Sequence, residues 1–195
     1  MSCSLIVSNG GIYAILNGMS EQMGKSEVLE AGILCLRTLS VGKEGMSAIH
    51  KGEGLRNIIS AMSAHPQCAS FQENALEMAS GLWSDTRDYS STCYLVEDSD
   101  VKVIVKSMET HPISTWVQRW GCICLYNMSK GSQGNRLVIK KCSFQVADLL
   151  TNACDRPPQE FVTSTFTILL FIRQAWNHMV SSKNRTTWSH YYHIH

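Results

Sequence analysis

The sequence predicts an all-α protein built as a solenoid of about four helical repeats, and three observations lead there. The first is the placing of the four prolines. Pro66 and Pro112 follow histidines in "MSAHP" and "METHP", 46 residues apart, and Pro157 opens a proline pair 45 residues further on. Proline fixes its own φ and pushes the preceding residue out of the α region, so helices are expected to stop at His65, His111 and Arg156. The second is a long segment in three alignable copies, "LEAGILCLRTLS" from Leu29, "QENALEMASGLW" from Gln72 and "QRWGCICLYNMS" from Gln118, at offsets of 43 and 46. The third is a shorter segment ahead of each: "GGIYAILNGM" from Gly10, "EGLRNIISAM" from Glu53 and "SDVKVIVKSM" from Ser99. Helices that stop and restart at one phase of a ~45-residue period mark an α-solenoid, in which each unit buries its apolar face against the next.

In the long helices a small residue holds one slot (Gly32, Ala75, Gly121). Leu36, Ala79 and Leu125 hold a second, and Leu39, Leu82 and Met128 a third. The slots are four and then three residues apart, which keeps one helical face apolar. The small slot lets a neighbouring helix come close. In the shorter helices Ile15, Ile58 and Ile104 share one position, and Met19, Met62 and Met108 another. The methionines read as adaptable core filler rather than sulfur ligands. The prolines lie in the turn between the two helices, where the first copy has Met23 and Gly24.

Between units run "KEGMSAIHKG", "TRDYSSTCYL" and "SQGNRLVIKK", each ending in apolar residues and each expected to form a short helix. The first unit is expected to lack it. The fourth copy, "FQVADLLTNACDR", is looser, with Leu149 in the isoleucine slot. The predicted organisation is a lead at 1–8, units at about 9–51, 52–97, 98–143 and 144–177, and an irregular polar, aromatic and histidine-containing tail at 178–195.

Composition removes several function classes. With 17 basic and 16 acidic residues the chain has no electrostatic footprint for nucleic acid or anionic lipid. The start, "MSCSLIVSNGG", lacks the basic region and apolar run of a signal peptide. The longest apolar run, Phe161 to Ile172, is twelve residues, short of the ~20 that span a bilayer. Eight cysteines without an export signal read as reduced thiols in the cytoplasm or nucleus, and none has zinc-type pair spacing. No P-loop, dinucleotide fingerprint, G-x-S-x-G or H-E-x-x-H occurs, so no enzyme, metal or cofactor is expected. His65 and His111 stand one repeat apart, roughly 10 Å, too far to share a ligand. They are expected to donate to the last carbonyls of the helices they end.

The residues "SAIHKGEGLRNIISAM", "NRLVIKK" and above all the run Met108-x-x-His111-Pro112 followed by "QRWGCICLYNMS" resemble the armadillo-repeat family, over about residues 9–177. The resemblance implies a right-handed superhelix of three-helix units, first and last incomplete, whose long third helices line a concave groove. It further implies a non-enzymatic protein–protein interaction module, an adaptor or scaffold. One departure is the hinge glycine, present as Gly11 and Gly54 but replaced by Asp100 and then Gln145.

In the importin-alpha and catenin branches a ladder of groove asparagines pins an extended peptide, because a side-chain amide both donates and accepts. The corresponding positions here are Thr38, Gly81, Asn127 and approximately Phe171, so only Asn127 matches. The tryptophan slot one turn earlier holds Leu34, Glu77 and Ile123, with Trp120 nearby. The chain therefore resembles the family but not the importin-alpha branch. Expected partner-contacting residues are Thr38, Glu77, Gly81, Arg119, Trp120, Ile123 and Asn127, the last alternatively a polar residue on a solvated helix face.

After Glu160 no acidic residue occurs, and "FVTSTFTILLFIRQAW" is apolar on more than one face. Three readings stay open for this end: a further repeat belongs beyond it, a partner or second copy docks there, or the tail folds back as a cap. The alternative function is thus a structural segment of a larger assembly, joined through its C-terminal helix. The tail histidines His190, His193 and His195 are too weak a signal for a metal site.

Overall fold

The computed structural model describes residues 3–84 and 96–130, with Asn135 and Val138, and every element among them is helical. In order these are α1 (Cys3–Ser8), α2 (Gly11–Glu21), α3 (Ser26–Leu39), α4 (Lys43–Lys51), α5 (Gly54–Ala64), α6 (Ala69–Ser84), α7 (Asp98–Thr110) and α8 (Thr115–Lys130). The expected fourth unit, the ladder position Phe171, the C-terminal helix, the tail, and residues 85–95 of the second connecting stretch lie outside the described residues.

The expected stops at His65 and His111 are present, while that at Arg156 and most of the third connecting stretch lie outside the described residues. The C-cap residues of α5 and α7 are His65 and His111, whose amides bond to Ala61 O and Ser107 O at 3.1 Å. In the first copy Gln22 caps α2 and bonds Gly18 O, also at 3.1 Å.

One expectation is corrected. The first unit does have a short helix, α1, inside the stretch read as a lead. It is too short for periodicity to reveal, yet its Ile6 stands to Gly11 as Ile49 of α4 stands to Gly54. A Cβ on Gly11 would meet the Ile6 carbonyl oxygen at 2.8 Å, and one on Gly54 the Ile49 oxygen at 3.0 Å. Between each pair of helices one residue turns left-handed: Gly10 at φ 78° and Glu53 at φ 57°. Close approach is therefore the reason for the glycines at 11 and 54. In the third copy Asp100 replaces them, and the chain enters α7 by a capping box instead, with the Glu97 amide donating to Asp100 Oδ2 at 2.9 Å.

Packing follows the aligned slots. Met19, Met62 and Met108 are each 1 % exposed, and Ile12, Leu55 and Val101 are equally enclosed. The methionine slot fits into the small slot of the following helix. A Cβ on Gly32 would lie 2.6 Å from Met19 Cγ and Sδ, and one on Gly121 would lie 2.6 Å from Met108 Cγ. Leu36, Ala79, Leu125, Leu39, Leu82 and Met128 are all buried. Helix α3 packs on α6 and α6 on α8, the latter the most extensive contact, while α2 packs on α5 and α5 on α7. The described chain is all-α with repeat-like packing. Asn135, in the last connecting stretch, is buried and accepts from the Val96 amide at 3.1 Å.

Candidate functional site

The long helices α3, α6 and α8 lie side by side, and their polar residues tie each to the one before. Arg37 of α3 donates to Asn74 Oδ1 at 3.0 Å and to Glu77 Oε1 at 2.8 Å, both on α6. The Arg37 and Glu77 side chains are about one-third exposed, at 36 % and 32 %. Asn127 of α8 donates its amide to Ser80 O on α6 at 2.9 Å. Beside it Cys124 donates its thiol to Leu76 O at 3.3 Å. Burial pushes that thiol well above its ordinary value, with Cys122 adding to the shift, so it remains a neutral donor.

The expected contact residues thus divide. Asn127 is neither simply solvated nor wholly free, because half of its amide is spent on the preceding helix. Glu77 is engaged with Arg37. Thr38 is exposed, and its hydroxyl bonds back to Leu34 O of its own helix at 3.0 Å. Gly81 is partly buried, and a Cβ there would meet nothing within 4 Å, so the row is open at that point. Ile123 is half-buried, while its counterpart Leu34 is 47 % exposed.

Arg119 and Trp120 come together, with a third member that the sequence reading passed over. The Arg119 guanidinium carbon lies 5.4 Å from the Trp120 ring centroid and 5.5 Å from that of Trp116. Trp116 is 51 % exposed. The spacing i, i+3, i+4 in "WVQRW" carried this signal, since residues three and four apart share a helix face. A cation held against two indoles is worth about 0.5–1 kcal/mol per contact at an exposed site. The result is a cation–aromatic cluster at the start of α8, with Trp116 exposed and Trp120 half-buried against the core.

A second pair of devices holds the row in place. Gln72 donates its side-chain amide to Met62 O and His65 O, both at 2.9 Å, across the turn from α5 to α6. Gln118 repeats this with Met108 O at 2.8 Å and His111 O at 3.1 Å, from α7 to α8. The first letter of two of the aligned segments was the visible sign. The histidines act otherwise than expected: Nε2 of His65 bonds Met23 O, and Nε2 of His111 bonds Pro66 O, each at 2.8 Å. Each therefore fastens its turn to that of the preceding unit, not to its own helix.

Among the described residues no three histidine, cysteine or acidic side chains come together to hold a metal ion. No helix among them is long and apolar enough to cross a membrane. No family model, curated protein or solved structure matches this chain. Its functional reading therefore stands on the exposed surface of the long helices.

Proposed function

We propose that the protein is a non-enzymatic interaction module, an adaptor or scaffold of armadillo-like three-helix units, which binds another protein along the concave face of its third helices. The observation that carries this reading is the row on α3, α6 and α8. It combines Thr38, the open position at Gly81, the half-used amide of Asn127 and the Trp116–Arg119–Trp120 cluster. Such a surface offers exposed indole, hydrogen-bonding groups and a place for close backbone approach. Aromatic and arginine side chains of this kind are where binding energy concentrates in interfaces. A partner with an extended, largely uncharged segment suits it, since Glu77 is already neutralised by Arg37.

Affinity capture of partners, identified by mass spectrometry and repeated with Trp120→Ala, Trp116→Ala and Arg119→Glu, tests the reading. The expected result is loss of a defined partner with helicity unchanged. The double variant Arg37→Glu/Glu77→Arg keeps the ion pair while reversing its order, and so separates surface charge from lost stability. Capture unaltered by all of these places the binding site elsewhere.

A further inference from the structure

Arg37 and Glu77 neutralise each other across α3 and α6. Glu73, which holds on α6 the position that Arg119 holds on α8, accepts from the Ser114 hydroxyl at 2.7 Å. Arg119 is different. It is half-buried, and its Nε is enclosed without a partner. Among the described residues no hydrogen bond or ion pair engages its Nη1 or Nη2. The guanidinium is nonetheless held in place, against the rings of Trp116 and Trp120. Trp120 itself packs on the core, which fixes that side of the cluster. Two indoles together make a seat for a cation, and the chain fills it with its own. A lysine or arginine from a partner would find the seat taken and a like charge on it. Beside the cluster, Ile113 is 89 % exposed, so the surface next to the cation is apolar.

We propose that Arg119 takes one carboxylate of the partner, an aspartate or glutamate side chain in an otherwise uncharged segment, with a neighbouring apolar side chain laid on Trp116 and Ile113. The inference rests on the concave-row reading above and states what that row selects. A guanidinium offers parallel N–H donors that match the two oxygens of a carboxylate. Stacking already restrains this one, so little freedom is lost when it binds. One unmatched positive charge calls for one negative charge. A run of acidic residues would instead be opposed by Glu73 and Glu77 nearby on α6. Ile113 and Trp116 precede the guanidinium along the chain and Ile123 follows it, so the surface continues on both sides. The carboxylate therefore comes from a side chain within the segment rather than from a chain end.

The probes are short end-capped peptides with a single acidic residue beside leucine or phenylalanine in a glycine–serine background. Matched versions carry the amide, lysine or phosphoserine in place of the acid, and fluorescence anisotropy reads their binding to the whole chain. The acidic peptides should bind, and exchanging acid for amide should raise Kd at least about tenfold. Arg119→Gln should erase that difference with far-UV circular dichroism unchanged. Arg119→Lys should keep part of it, since an ammonium retains the charge but not the fork. Failure of every acidic peptide to bind overturns the proposal, as does equal binding of acid and amide or an acid preference that survives Arg119→Gln. Tighter binding of the phosphoserine version also overturns it, in favour of a phosphorylated segment. Peptide binding lost with Asn127→Ala but not with Arg119→Gln overturns it while leaving the concave row as the docking face. Absent peptide binding, together with partner capture unaltered by the row variants, removes both readings.

Discussion

The imidazole Nε2 of His111 lies 2.8 Å from the carbonyl oxygen of Pro66, one repeat earlier in the chain, and His65 stands in the same relation to Met23. Carbonyls accept, so the ring nitrogen carries the proton in both. The bond crosses between successive turns at a half-buried site. His111→Ala should therefore lower stability by about 1 kcal/mol in urea unfolding, the usual net worth of one such bond. His65→Ala should cost a similar amount. A change below the error of the measurement in both would remove the bond from the account of how units are joined.

Gln118 is 6 % exposed and spends both amide hydrogens on backbone carbonyls at 2.8 and 3.1 Å. Gln118→Leu should cost about 2 kcal/mol through the two lost bonds. The shape is tolerated, since Leu29 fills the equivalent place in the first unit. Gln118→Glu should cost more, because a carboxylate cannot donate and would face two carbonyl oxygens. Urea midpoints ranked wild type, Leu, Glu would bear this out; Glu equal to wild type would contradict it.

Two glycines should respond very differently to alanine. A Cβ on Gly121 would press on Met108 Sδ at 2.5 Å and Cγ at 2.6 Å, which are side-chain atoms, and Ala75 holds the same slot in the second copy. The gain in helix propensity is about 1 kcal/mol, so Gly121→Ala should change stability by no more than about 1 kcal/mol. A Cβ on Gly45 would overlap the Leu39 carbonyl, which is backbone and cannot step aside. Gly45→Ala should cost at least about 2 kcal/mol. Thermal or urea unfolding of the two variants side by side decides it.

Asp100 is 3 % exposed, and burial holds its carboxyl above the ordinary value of 3.8 although the Glu97 amide pulls the other way. A raised acid favours the protonated form in the folded state. Its stabilising contribution is therefore present below pH 3.8 and lost as pH rises through the higher folded value. Asp100→Asn keeps an oxygen for the Glu97 amide and cannot ionise. The stability of the variant relative to wild type should climb from below pH 3.8 to neutrality. A difference that stays level or falls would show that the carboxylate is not penalised there.

The periodic features were legible in the sequence because they are imposed by packing. Proline positions marked the helix stops at His65 and His111, and the methionine and small slots marked two faces that turn out to fit each other. Helix α1 was not legible, since six residues hold less than two turns and give periodicity nothing to repeat. The uses of His111, Gln118 and Asn127 were hidden for another reason. Each bonds a backbone carbonyl, and every residue type supplies one, so the acceptors at Pro66, Met108 and Ser80 leave no trace in composition or spacing. Trp116 was overlooked as a neighbour of Arg119, although its spacing was in view.

The clamps at Gln72 and Gln118 act within a unit, and the imidazoles at His65 and His111 reach only to the unit before. Among the described residues no side-chain hydrogen bond skips a neighbour. A stretch of this chain could accordingly be duplicated or excised in whole periods without breaking any bond except at the junction. The length of such an array is then free to drift over evolutionary time, and two descendants of one ancestor need not share the same number of units.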